Sequence, residues 1–494
     1  MPMKKEMAPA SGDQECLECG YEPELKRTLG SFQVFAISFA FISVAVGIFG
    51  TYDNVLQTAG PVGIWLWLVA AVGQTLVAFV VAQFAARIAL SGSSYQWGSR
   101  LANPKIGWMF GWLTFWFLAI AVVALDNALA SQALMPLLGM DENASTARLS
   151  TLVILVLQAV LVIASTRLLG LITSAAVALE IGIVVVLVIG LAAVMLFSGS
   201  GNLDNLVSRG ITAGDPNYLA IGGGLMAGMI MGLTTLVGFD SAANLAEEAK
   251  DPFRSVPRAI VASVIAAAVT GLLFLIALTV AIKDVTEVSN SGSPVAAIIR
   301  SQLGLVAERI LLGGIAFAMF GAGMVVMAAC SRQVFAMARD SRFPAHALMR
   351  KVNPRTQTPV FATILILVIG VVLMLALPGQ ALLQLILGST ILPALIYGAI
   401  VVLYLAVRRR LESKEGAFNL GRFDLPVAVA ALVWIVLALF VLVTPDDALI
   451  PSLIVIGLIL IGAIYFAWMM IFNREVLESE PGDDEFAAAP KAVG

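Results

Sequence analysis

Three carboxylates stand in stretches otherwise apolar enough to lie in a membrane: Asp126 in Ala124-Leu125-Asp126-Asn127, Glu180 in Ala178-Leu179-Glu180-Ile181-Gly182, and Asp240 in Val237-Gly238-Phe239-Asp240-Ser241. Burying an ionisable group in a bilayer is costly, so each is read as functional by default. Asp126 could pair with a substrate amine, cap a neighbouring helix, or simply face outer water. Asp240 could serve a gate or cap the helix that follows it. Glu180 could carry a coupling proton, bind sodium, or lock helices together. Trp112 and Trp116 are four apart on one helix face, a pair that is more often core or interface belt than pocket, and Trp116, the deeper, is the candidate pocket residue. Glu247 and Glu248 suit ion pairs with loop arginines.

Enzyme chemistry finds little support. The chain has 1 histidine, His346, and 3 cysteines. Cys16-Leu17-Glu18-Cys19 is a lone CxxC, and zinc normally takes four ligands. Ser198-Gly199-Ser200-Gly201 superficially suggests a protease loop, but the sole histidine falls in a different loop. There is no HExxH and no Walker A motif. An intramembrane enzyme is therefore the remote alternative, and no catalytic residue, metal site or cofactor is expected.

Two stretches look wrong as simple helices. One reads Ser43-Val44-Ala45-Val46-Gly47-Ile48-Phe49-Gly50 and continues into Thr51-Tyr52-Asp53-Asn54. The other reads Leu236-Val237-Gly238-Phe239-Asp240. Each places a Val-Gly kernel in the middle of an apolar segment, followed by polar residues. Unwinding there would free carbonyls at the end of one half-helix and N–H groups at the start of the next. Carbonyls accept from an ammonium group, and N–H groups with the helix dipole attract a carboxylate. These segments, with Trp116 and Asp126, are the candidate substrate-binding residues, and Glu180 is the candidate coupling residue.

The elements that must position these groups are membrane spans. The 494 residues are 60% hydrophobic and 12% charged, against roughly a quarter charged in soluble domains. A net charge of −3 gives no basic surface for nucleic acid. The first thirty residues lack the features of a signal peptide and are read as a retained tail. Twelve segments reach the roughly 20 apolar residues of a span: 32–59, 63–86, 107–137, 150–166, 170–197, 219–248, 256–282, 306–337, 359–377, 380–407, 425–444 and 450–472. With the N-terminus cytoplasmic, 24 of the 29 lysines and arginines fall on the inside and 5 on the outside. That bias supports both the count and the orientation.

The kernels at Val46 and Val237 lie about 190 residues, or five spans, apart. An odd number of spans inverts the second copy, and interrupted helices at matching places in inverted repeats point to a secondary transporter. The expected layout is a tail over 1–30 and a transport core over 31–410, with repeats at 31–200 and 215–410. Helices 11 and 12 follow over 425–473, then a cytoplasmic tail over 474–494.

Gly238-Phe239-Asp240-Ser241-Ala242-Ala243-Asn244-Leu245-Ala246-Glu247-Glu248-Ala249-Lys250-Asp251-Pro252, continuing to Val256-Pro257-Arg258-Ala259-Ile260, closely resembles the sixth-span signature of amino acid–polyamine–organocation (APC) permeases. Ser331-Arg332, Met337-Ala338-Arg339-Asp340 and Thr358-Pro359-Val360 resemble later family motifs in the right order, and Ser293-Pro294 sits at the family's external loop helix. Ala59-Gly60-Pro61 and Ser91-Gly92-Ser93-Ser94-Tyr95-Gln96-Trp97 resemble the amino acid/choline branch, which includes GABA permeases. Ala45-Val46-Gly47 departs from the Gly-Ser-Gly common in the first span. The resemblance implies an all-α membrane protein of twelve transmembrane helices, a LeuT-type five-plus-five inverted repeat with discontinuous helices 1 and 6 plus two extra helices. It implies a permease for an amino acid or small amine such as GABA, working by alternating access in the plasma (inner) membrane, with both termini cytoplasmic. Proton or sodium coupling and substrate exchange all stay open. A choline or polyamine transporter of the same fold is the alternative. Near Glu180, proton-using members often place a lysine, and sodium-coupled relatives hold their ion. Membrane lipid is the expected surround, and helices 11 and 12 are free to support a homodimer.

Overall fold

A computed structural model describes residues 25–140, 144–199, 201–291, 293–376, 379–411, 418–445 and 448–479. Cys16 and Cys19 lie outside the described residues. Among those described, ten helices are long and apolar enough to cross a membrane, and two shorter apolar helices span Gly224–Thr235 and Val360–Leu375.

The first long helix is two helices, α1 (Ser31–Ile42) and α2 (Val44–Thr58). Then come α3 (Leu66–Ala85), the short α4 (Ser93–Leu101) and α5 (Pro104–Ala128), which runs on through a π-helical turn at Leu129–Leu134. Asn103 starts α5 by accepting the Ile106 N–H, and Pro104 suits the first helical position. Helices α6 (Ala144–Ala164) and α7 (Thr166–Ser198) are separated by Ser165, whose hydroxyl caps α7. Helix α6 begins earlier than the sequence reading of 150–166, because polar residues of its first turns extend it beyond the apolar run.

The short helices α8 (Ile230–Thr235) and α9 (Ser241–Asn244) follow, then α10 (Pro252–Val280) and α11 (Pro294–Arg339). Helix α11 is bent at Gly304, whose φ of 85° is non-helical, so the helix from Pro294 abuts the long apolar segment. The remainder are α12 (Val360–Ala376), α13 (Gly379–Val407), α14 (Asp424–Val443), α15 (Leu449–Phe472) and α16 (Arg474–Glu478).

Burial sorts centre from rim. The apolar window of α1–α2 is 78% buried and that of α15 is 17% buried. Helix α1 packs against α7, α10 and α11, while α5 is flanked by α11, α13 and α6. Glycine permits these close crossings: a Cβ on Gly73 would meet the Trp434 ring at 2.0 Å, and one on Gly271 would meet Trp67 at 2.2 Å. Helices α14 and α15 turn apolar side chains such as Val433, Ile456 and Ile464 outward.

Both described chain ends meet at one end of the bundle. The backbone at Leu29 pairs with that at Ala249, and the Thr28 and Leu29 N–H groups donate to the Glu248 carbonyl, each at 3.0 Å. Below them, Arg332 binds the Glu248 carboxylate at 2.7 Å with both side chains fully buried. Arg339 binds Glu247 at 2.9 Å. The sequence suggested ion pairs with loop arginines; the pairs form, but both arginines lie on helix α11 rather than in a loop. Removing one member of a buried pair costs about 3–5 kcal/mol, because the other charge is stranded. Arg342 donates to the Val476 and Ser479 carbonyls, so α16 closes the same end. Arg87 folds back onto the Gln83 carbonyl and amide oxygens.

Candidate functional site

The sequence placed the first break around Val46-Gly47, but the backbone breaks at Ser43. Ser43 has φ 37° and ψ 81°, a left-handed conformation uncommon for a residue with a Cβ. Gly47 lies inside α2 and donates to the Ser43 carbonyl at 3.0 Å. Its glycine identity serves contact: a Cβ there would lie 2.2 Å from the Thr235 side chain. The second break spans Leu236–Asp240, between α8 and α9, and contains Gly238 at φ 76°. A Cβ on Gly238 would also strike Phe41 at 1.9 Å. The contacts are reciprocal, with each kernel glycine packed against the other broken helix just before that helix's own break.

Each break has a partner from elsewhere. The Glu180 carboxylate, on α7, accepts from the Ala45 N–H at 2.9 Å and the Ser43 hydroxyl at 3.3 Å. It caps α2 from another helix, satisfying an N–H that no residue four back can reach. At the second break, the Tyr397 hydroxyl of α13 accepts from the Gly238 N–H at 2.9 Å and donates to Asp240 at 2.7 Å. The Tyr397 ring stacks on Phe239 with centroids 4.8 Å apart. Asp240 makes no side-chain cap to α9.

A cavity of about 170 Å³ opens where the two broken helices meet α5. Of the sequence-predicted residues, Val46, Gly47, Gly50 and Val237 line it. Phe41, Ile42, Thr51, Thr234 and Thr235 join them from the same helices, and Ser389 and Thr390 come from α13. From α5 come Phe117, Ala121, Ala124, Leu125 and Ala128, with Gln132 from the π turn. That turn adds a residue to one helical circuit and changes which side chain faces the cavity. No charged side chain lines the cavity among the described residues. The Thr234 and Thr235 hydroxyls are buried without a hydrogen-bond partner.

The other predicted residues do not reach the cavity. Ser43, Val44, Ala45, Ile48 and Phe49 are buried around α2, and Leu236, Gly238, Phe239 and Asp240 form the second break itself. Trp116 is a correction. Trp108 and Trp112 stack at 5.5 Å, Trp112 meets Trp116 edge-on, and the Trp112 indole donates to the Leu458 carbonyl of α15. That face of α5 seals the rim, while Phe117 and residues spaced three and four beyond it face the cavity. Asp126 is a second correction. It lies roughly opposite the cavity stripe by helical phase, and its Oδ1 accepts from Gln158 of α6 at 2.7 Å.

Among residues the sequence reading missed, Gln132 could have drawn attention as a polar residue late in an apolar span. Tyr397, Ser389 and Thr390 offered no signal, because their importance depends on α13 folding back over a segment about 150 residues away.

A bundle of apolar helices, two of them broken beside one central cavity, defines a membrane permease. The chain belongs to the amino acid permease family of the APC superfamily, whose model matches residues 29–466. It is 29% identical to the amino-acid permease BAT1 of Arabidopsis thaliana, over 86% of this chain and 87% of that protein. It is 25% identical to a putative polyamine transporter of Candida albicans, over 98% of this chain and 94% of that one. It is 28% identical to the GABA-specific permease of Saccharomyces cerevisiae, over 71% of this chain and 63% of that protein. It is a transporter of amino acids or amines and not an enzyme.

Proposed function

We propose that this permease carries a small amino acid, or a related zwitterion such as GABA, by alternating access around the cavity between α2, α8 and α5. The observation that carries the reading is that, among the described residues, no charged side chain lines the cavity beside the two helix breaks. A zwitterion is neutral overall and can be held by backbone groups alone. Carbonyls ending α1 and α8, near Phe41 and Thr234, would accept from the ammonium, and N–H groups starting α2, near Val46, would take the carboxylate. A polyamine would bring several positive charges to a wall with no carboxylate.

A second reading, an amine without a carboxylate, has one observation in its favour. Glu180 already occupies the Ala45 N–H, and Phe41 and Phe117 line the cavity, where an aromatic face would attract a cation. Uptake into proteoliposomes distinguishes the two. Alanine or GABA should accumulate and compete with each other, and saturable uptake of putrescine or choline alone would reverse the assignment.

The reading includes twelve spans in a five-plus-five inverted repeat, 31–200 and 215–410, with α14 and α15 outside it as a lipid or homodimer face. Both termini are cytoplasmic in this reading, supported by the basic residues at the end where the described termini meet. A cysteine introduced at Gly139 should be labelled from outside intact cells and one at Arg409 should not. In this reading coupling to a proton or sodium acts through Glu180, because its carboxylate holds the first break in place. A Glu180→Gln variant tests it below.

A further inference from the structure

The hydrogen bonds of Asp126 leave an imbalance that the cavity does not use. Asp126 is fully buried, and its Oδ1 accepts from the Gln158 amide nitrogen at 2.7 Å. The same nitrogen donates to the Phe320 carbonyl of α11 at 3.1 Å, which uses both of its hydrogens and fixes the orientation of the amide. Asp126 Oδ2 and Gln158 Oε1 are both buried with no partner. Two adjoining side chains therefore hold two unsatisfied acceptor oxygens and no unused donor between them. Four other carboxylates buried in the bundle each have a cation, an N–H or a hydroxyl as partner. Glu247 and Glu248 have arginines, Glu180 has an N–H and a hydroxyl, and Asp240 has the Tyr397 phenol.

Among the described residues, no cation faces Asp126 from the surrounding elements. On α6 the ionisable residue is Arg148, ten residues from Gln158 and so about 15 Å along the helix. On α11, the Cys330 thiol turns to the Phe115 carbonyl and Arg332 is held by Glu248. Arg300, Glu308 and Arg309 stand at the far end of α11, and Arg339 binds Glu247. Helix α12 carries no ionisable residue, and neither does the π turn. On α13, Tyr397 is committed to Asp240, and Tyr404 packs against Phe84. Tyr95 and Arg100 of α4, Tyr465 of α15, and Arg474, Glu475 and Glu478 of α16 belong to the end of the bundle where the termini meet or to its rim.

We propose that Asp126 is a proton-binding site, in which the carboxylic acid O–H on Oδ2 donates to Gln158 Oε1 and completes a paired acid–amide ring between α5 and α6. One hydrogen satisfies both orphan oxygens. A metal ion would need several oxygen ligands, and the junction offers two. The junction is also tight, since a Cβ on Gly323 of α11 would lie 2.4 Å from both Asp126 Oδ1 and Gln158 Nε2. The proton would bind the wall of the cavity to the helices behind it, because Leu125 next door lines the cavity. This site is separate from Glu180, and its test does not depend on transport.

The test is infrared spectroscopy of the purified full-length chain in lipid nanodiscs at neutral pH. A carboxylic acid C=O band should appear in the wild type, disappear in Asp126→Asn, and shift without disappearing in Gln158→Leu, which keeps the acid but removes its partner. Spectra that match between wild type and Asp126→Asn in the carboxylic acid region would overturn the proposal. So would sodium-dependent thermal stabilisation present in the wild type and absent in Asp126→Asn, which would place a metal cation at the junction.

Discussion

The two broken helices are interrupted at matching places but held by different chemistry. The first break is one residue, Ser43, and its latch is the Glu180 carboxylate. The second is five residues, Leu236–Asp240, and its latch is the Tyr397 hydroxyl, which bonds backbone and carboxylate together. The first break is therefore held by a carboxylate that accepts directly from backbone and hydroxyl, and the second by a phenol that joins a backbone N–H to a carboxylate. Glycine carries the contrast further, since Gly238 supplies both backbone freedom and room while Gly47, inside a regular helix, supplies room alone.

The sharpest way to break this comparison is to fill both crossings. Gly47→Leu and Gly238→Leu should each reduce proteoliposome uptake by about a hundredfold or more. Overpacking costs about 1–3 kcal/mol, and a left-handed conformation adds about 1–2 kcal/mol at Gly238. Gly238→Ala should already fail, while Gly47→Ser should retain more activity than Gly47→Leu. Equal sensitivity of the two glycines to alanine would erase the proposed difference in their roles.

Tyr397→Phe comes next. It keeps the ring on Phe239 but strands the Gly238 N–H and one Asp240 oxygen, at about 1–3 kcal/mol for a buried group left unsatisfied. Uptake should fall about tenfold and the melting midpoint should drop measurably. An unchanged midpoint would show that the phenol does not hold the second break.

Glu180→Gln should act more selectively. The amide oxygen can still accept from the Ala45 N–H, so substrate binding and exchange should stay within about threefold of wild type, on the scale of one ordinary hydrogen bond. Accumulation driven by a pH or sodium gradient should be lost. Undiminished accumulation would make Glu180 a cap alone. The smallest effect belongs to Trp116→Phe, on the rim face of α5, which should change the apparent affinity by less than about twofold. Phe117→Ala, one residue on, should weaken it by about tenfold, as expected for the loss of an apolar wall.

Much of this architecture was legible because membrane spans are long, apolar and punctuated by charge. The Val-Gly kernels pointed to the right pair of helices, and the segment after Gly238 carried the family resemblance. The kernel misplaced the first break by four residues, because Ser43 adopts its left-handed turn without glycine and is held there by a side chain 137 residues away. Trp116 and Asp126 stand off the cavity for a shared reason: their depth along α5 could be estimated from sequence, but their direction around it could not. The cavity face of that helix is set by neighbours and by the π turn, and neither has a periodic signature. Tyr397 could not have been picked from other tyrosines by its local sequence.

The docking of α16 has a consequence for biosynthesis. Arg342 is almost wholly buried, and two of its hydrogen bonds go to the Val476 and Ser479 carbonyls. A ribosome finishing α11 therefore releases a guanidinium that can reach the Tyr95 and Ser99 hydroxyls at once, but two of whose acceptors will not exist for more than a hundred further residues. Chains truncated before Val476 should insert but stay open to proteases at the loop containing Arg342, because the α16 carbonyls that close that end are missing.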